Sequence, residues 1–157
     1  MSARSQITAL VHGYAEAVDA ADYDTVGALF EGATYEVPTP DGYVVQRDAQ
    51  IAGAMRHTTI RHDGSPCTKH QITNLVIDVD EDAGTATAKS YFAVLQAVPG
   101  LVPLQTILAG RYHDRFARID GRWRFAQRIV LTDLAGDLTH HVRGVRLTDV
   151  QKTESQG

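Results

Sequence analysis

Cysteine is nearly absent from this chain. Only Cys67 occurs among 157 residues, so no intrachain disulfide can form and a paired-cysteine metal site is excluded. Runs of lysine or arginine are missing too: 15 basic residues stand against 19 acidic ones, for a formal net charge of −4. Nucleic acid and anionic membranes are met by a basic face, so neither is expected as a partner. No apolar stretch reaches the length of a membrane span, and the opening "MSARSQITAL" lacks a signal-peptide core. With reduced cysteine, these features predict a cytoplasmic protein. The glycine-rich phosphate loops GxGxxG and GxxxxGKS/T are missing, which leaves nucleotide cofactors unsupported. Ser90 has no GxSxG elbow around it. His57 and His62 are five apart and His140 and His141 are adjacent, so no histidine pair has the helical zinc spacing and no metal site is expected.

What remains is the composition of an ordinary globular protein, with 43% hydrophobic and 22% charged residues. The length suits one domain, taken as residues 1–150, with the polar "QKTESQG" at 151–157 as a frayed tail. Ile7, Leu10, Val11, Tyr14, Ala15 and Val18 recur at helical spacing and predict a helix over 6–20. Asp22 is placed to cap a short second helix with Val26, Leu29 and Phe30 on its apolar side. Two short strands flank the turn Pro40-Asp41-Gly42, and Asp48 is placed to cap a third helix with Ile51, Ala54 and Met55 facing in. From Cys67 the period changes to two, predicting strands at 68–79, 85–98, 104–119 and 122–133. Helices gathered first and strands gathered last indicate an α+β fold, with N-terminal helices on a curved, mostly antiparallel sheet.

Several polar residues sit where apolar ones would suffice. A strict alternation puts His70 and Asn74 on one strand face with Ile72 and Val76. Gly110, Tyr112, Asp114 and Phe116 share another, while Tyr14 lies on the first helix's apolar stripe and Asp19 at its edge. If helix and sheet pack together, a carboxylate, an imidazole, a phenol and an amide meet in one pocket. A carboxylate that orients an imidazole suits it to proton abstraction near neutral pH. Plainer readings stand beside this one. His70 can be a satisfied core or surface residue, Asp19 a solvated helix-end residue, and Tyr14 and Tyr112 core aromatics. Asp114 can pair with Arg111 or with an arginine on a neighbouring strand, and Arg122, Arg124 and Arg128 read as strand-surface charges with room for one inward member.

Three stretches, "GYAEAVDAADYDTVGALF", "TKHQITNLVIDVD" and "AGRYHDRFARIDGRWRFAQRIV", resemble the SnoaL-like branch of the nuclear transport factor two superfamily. Within it the chain is most similar to lyases of the scytalone dehydratase and hexachlorocyclohexane dehydrochlorinase type, over about residues 5 to 141. The resemblance implies a cone-shaped α+β barrel with a deep, mostly apolar pocket and no cofactor. It also implies a catalytic dyad of Asp19 and His70, the residues singled out above. Tyr14, Asn74, Tyr112, Val18, Phe30 and Tyr35 are then expected to contact substrate. The tyrosine that precedes the dyad aspartate in scytalone dehydratase is Val18 here, "KSYFAVLQAV" has no second histidine, and "VHGYAEAVD" has no lysine. Neither exact activity is therefore implied. The expectation is a lyase or isomerase acting on a hydrophobic, oxygenated ring compound such as a polyketide, steroid or aromatic intermediate, with a non-catalytic small-molecule binder as the alternative. A homodimer or homotrimer that buries the outer sheet face is expected, and the stretch "LAGDLTHHVRG", 134–144, anchored by Leu134 and Leu138, is expected to fold back across the pocket mouth as a partial lid.

Overall fold

The apolar stripe of the first helix does form, and it is one turn longer at its start than its spacing predicts. In the computed structural model, which describes residues 1–144, helix α1 spans Ala3–Asp19. Ser2 caps it, its side chain accepting the Ser5 N–H at 3.2 Å. Ile7, Val11, Tyr14 and Val18 are buried along one side. Helix α2, Tyr23–Leu29, is capped by Asp22, which accepts the Thr25 N–H at 3.1 Å. Helix α3, Ala49–Thr58, buries Ile51 and Ala52, with Ala54 and Met55 only partly covered. Asp48 does not cap α3 as expected. Its backbone is left-handed (φ 48°), and its carboxylate turns away to accept the Gly32 N–H at 2.8 Å.

Strands β1 (Thr34–Thr39), β2 (Gly42–Arg47), β3 (Thr68–Asp80), β4 (Thr85–Val98), β5 (Val102–Ile119) and β6 (Arg122–Ala135) form one sheet in the order β2-β1-β6-β5-β4-β3. Every neighbouring pair is antiparallel except β1 with β6. The chain is thus α+β, with its helices on one face of a curved sheet. The core joins α1 to inward residues such as Ile77, Ala88, Phe92, Tyr112, Phe116 and Phe125. Burying each large apolar side chain is worth roughly 1.5–3 kcal/mol, so this seam supplies much of the driving force. The opposite face leaves Tyr91, Leu104 and Leu134 exposed. Among the described residues no helix is long and apolar enough to cross a membrane.

Bulges set which side chains face in. In β3 the register against β4 slips by one residue between Thr73 and Val76, and Asn74 takes a left-handed φ of 54°. An inserted residue reverses the facing of everything beyond it. Thr68, His70 and Ile72 therefore point inward before the bulge, and Ile77 and Val79 after it. Asn74 and Val76 are exposed, Val76 by 68%, so neither shares the inner face with His70 as strict alternation predicted. A second bulge, at Ala126, carries the inward set from Phe125 to Arg128. At Gly110 a third irregularity brings the strands so close that a Cβ would overlap the Leu131 carbonyl oxygen and the Phe92 ring. Only glycine fits there.

Arg128 is fully buried and donates through Nε and Nη2 to Asp114 Oδ1 and Oδ2, both at 2.8 Å, directly across the β5–β6 ladder. Asp114 thus takes the neighbouring-strand arginine, while Arg111 pairs with Asp133. Removing one member of such a pair strands a charge in the core. Asp114→Ala should cost about 3–5 kcal/mol in denaturant unfolding, whereas an apolar double replacement (Asp114→Leu with Arg128→Met) should recover most of that loss. A double variant as unstable as the single one would contradict this account.

Candidate active site

Asp19 is the last residue of α1, at the end of the helix where the backbone dipole disfavours an anion. Three donors offset that cost. His70 Nδ1–H donates to Asp19 Oδ1 at 2.6 Å, the His70 backbone N–H donates to Oδ2 at 2.7 Å, and the Thr68 hydroxyl donates to Oδ1 at 2.9 Å. All three come from β3, the edge strand of the sheet, so the carboxylate occupies donors that β4 does not use. Burial by itself would raise the Asp19 carboxyl. The bond to the His70 ring, the positive charge that ring carries when protonated, the His70 N–H and Thr68 together hold it below the usual carboxylate value. Both side chains are about nine-tenths covered, with 8% and 10% exposed. With Nδ1–H committed to Asp19, Nε2 is left with a free lone pair, the atom a general base needs.

The dyad opens on a cleft of about 380 Å³ between α1 and β3, lined by His12, Ala15, Glu16, Asp19, Lys69, His70 and Ile72 among others. Its walls are mixed, apolar at Ala15 and Ile72 and charged at Glu16 and Lys69. A larger groove, of about 900 Å³, lies near the β3–β4 turn and does not include the dyad.

The expected substrate-contacting residues divide into two groups. Tyr14, Phe30, Tyr35 and Tyr112 gather in the core around the Arg128 guanidinium, whose carbon lies 4.3 Å from the Tyr14 ring centre and 3.9 Å from that of Tyr112. The Tyr14 and Tyr35 hydroxyls are 2.9 Å apart, and Phe30 stacks on Phe125 with ring centres 4.5 Å apart. Burial raises all three tyrosines, Tyr35 and Tyr112 well above the ordinary phenol value, so they remain neutral donors. Val18 is buried in the same core. None of these five side chains lines the dyad's cleft. Asn74 is exposed on its bulge, away from both groups.

The segment after β6 returns across the fold on only one of the two anchors expected. Leu138 is buried, whereas Leu134 still belongs to β6 and is 69% exposed. The Gly136 N–H donates to Ile107 O at 2.8 Å and the Arg143 N–H to Thr58 O at 2.8 Å. The expected tail, 151–157, lies outside the described residues. This return places His141 in the interior, a residue the sequence offered only as half of an adjacent histidine pair. Burial, and then the nearby His70 ring, push its pKa down to about 4 against the opposing pull of Asp19. Among the described residues no group of three or more His, Cys, Asp or Glu side chains could hold a metal ion.

The lowered Asp19 carboxyl has a consequence for stability. The unfolded chain takes up that proton before the folded chain does, so the pair's contribution is present above the ordinary carboxylate range and is lost on acidification. The difference in unfolding free energy between wild type and Asp19→Asn should be largest near about pH 5 and shrink toward about pH 2. A difference that stays constant across that range would contradict the pairing.

Comparison with known proteins agrees with this architecture. No curated protein matches the sequence. Among solved structures, a protein of Novosphingobium aromaticivorans provisionally named a scytalone dehydratase is 22% identical, with 91% of this chain and 89% of that one covered and a TM-score of 0.67. An NTF2-like protein with a cystatin-like fold from the same organism is 21% identical over 81% and 79% of the two chains, at 0.65. ActVI-ORFA of Streptomyces coelicolor is 17% identical over 83% and 96%, at 0.66. Identities this low speak to the fold alone. Residues 1–129 match the SnoaL-like domain, and the chain belongs to that family.

Proposed function

We propose that the protein is a cofactor-independent lyase or isomerase that removes a proton next to a carbonyl or leaving group of an oxygenated ring compound. The observation that carries this reading is the 2.6 Å contact between His70 Nδ1 and Asp19, which leaves Nε2 uncommitted on a ring that lines a cleft. In the reaction Nε2 takes the substrate proton, and the C–H electron pair moves into an enolate or expels the leaving group. Asp19 keeps the ring oriented and stabilises the positive charge it acquires. Ala15 and Ile72 offer apolar contact to the ring, while Lys69 and Glu16 can meet its oxygen substituents. A polyketide, steroid or aromatic intermediate has that character. The family and a provisionally named dehydratase among its structural relatives support the same class of chemistry. The alternative is a binder that holds such a compound without turning it over.

Exchange in heavy water separates the two, because deuterium enters the carbon next to a carbonyl whenever the base works, even without net reaction. A panel of cyclic ketones should show catalysed exchange by mass spectrometry. His70→Ala and Asp19→Asn should each slow it by about 100-fold or more, and the double variant should lose little beyond either single one. Undiminished exchange in His70→Ala would remove the dyad mechanism. Binding of the panel without exchange in wild type would favour the binder.

A further inference from the structure

Thr68 opens β3 and is only 5% exposed. Its hydroxyl donates to Asp19 Oδ1 at 2.9 Å, the same oxygen that takes the His70 ring N–H at 2.6 Å. A carboxylate oxygen has two lone-pair directions, so both of those on Oδ1 are engaged. Oδ2 takes the His70 backbone N–H at 2.7 Å. The carboxylate therefore cannot rotate without breaking bonds on both oxygens. The hydroxyl is itself firmly placed. A β-branched side chain has few torsions open to it. Gln96 pairs with Thr68 across the β3–β4 ladder and donates through Nε2 to Pro66 O at 3.2 Å and His140 O at 3.0 Å. The Ala97 N–H donates to Cys67 O at 3.2 Å, which holds the residue before Thr68 as well. A plain reading is that a buried hydroxyl has found an acceptor. The acceptor it has found, however, is the oxygen on which the base depends.

We infer that Thr68 is a positioning residue of the dyad, which fixes the Asp19 carboxylate and, by sharing Oδ1, limits the hold of that carboxylate on the His70 ring proton. The inference rests on the dyad reading given above and deepens it. Each hydrogen bond to an anion draws on its charge, so an oxygen that already serves a hydroxyl attracts the ring N–H less. Without the hydroxyl, Asp19 would grip a protonated ring more tightly, and a protonated ring cannot take a proton from substrate. Thr68 thus keeps Nε2 available as a base in more acidic solution than Asp19 and His70 alone would allow. The other ionisable groups near the ring are His12 and Glu16 of α1, Lys69 of β3 and His141 of the returning segment. None of these bonds to the Thr68 hydroxyl, so replacing it leaves their fields in place. A purely structural Thr68 has the opposite consequence. Losing it would then loosen Asp19 and weaken its bond to the ring.

Thr68→Val keeps the shape of the side chain and removes the hydroxyl. In proton NMR its His70 Nδ1–H resonance should lie further downfield than in wild type. The acid limb of catalysed deuterium exchange should move to higher pH by roughly half a unit or more, about a threefold loss of rate on that limb. Thr68→Ser retains the hydroxyl and should return both readings to wild-type values. A resonance that stays in place or moves upfield toward that of Asp19→Asn would overturn the inference, as would an acid limb that stays in place or moves to lower pH. If Thr68→Val does not fold, Thr68→Ala also lacks the hydroxyl and is judged by the same two readings. Failure of the dyad is distinguishable, because it appears as exchange that persists in His70→Ala, whereas the resonance needs no turnover. Where wild type catalyses no exchange, the resonance alone decides.

Discussion

The site depends on one carboxylate at an unfavourable place. Asp19 closes α1 at the negative end of its dipole and is tolerated because the edge of β3 presents a ring N–H, a backbone N–H and a hydroxyl to it. The same three bonds tie the helix end to the sheet edge, choose the tautomer of His70 and open the cleft beside them. Fold and chemistry are therefore coupled through a single side chain. Neutralising it would loosen the α1–β3 seam as well as disorient the base.

The second internal ion pair behaves differently. Arg128 and Asp114 are wholly buried, matched by two 2.8 Å bonds and enclosed by aromatic rings. A pair so enclosed is a weak source of net stability but a strong constraint on register, because a one-residue slip would separate the charges. Tyr14, Tyr35 and Tyr112 belong to this cluster, with the Tyr14 and Tyr35 hydroxyls bonded to each other and the Tyr14 and Tyr112 rings packed on the guanidinium.

Much of this was legible from residues alone, and the misses share a cause. The 3.6-residue stripe of α1 and the long strands from Thr68 onward follow from spacing, which also sets Asp19 and His70 among several candidate polar residues; their pairing as a dyad is what the family resemblance implies. Period-two reasoning fails wherever a residue is inserted, because nothing in a β-branched run marks the insertion. Asn74 was placed inward for that reason; the structure makes it the left-handed bulge residue. Arg128 reads as one more surface charge after Arg122 and Arg124 until Ala126 bulges and turns it inward. His141 gave no periodic signal, since its burial depends on a segment that returns to α3 through backbone bonds any sequence can make.

The central claim is that Asp19 holds His70 with Nδ1 protonated and Nε2 bare. Nitrogen NMR of histidine-labelled protein at neutral pH reads this without any knowledge of the substrate. The account predicts that the neutral His70 ring carries its proton on Nδ1 in wild type, with that proton resonance strongly shifted downfield by the carboxylate, and that Asp19→Asn abolishes the shift. A neutral ring with its proton on Nε2, or a wild-type spectrum indistinguishable from that of Asp19→Asn, would contradict it.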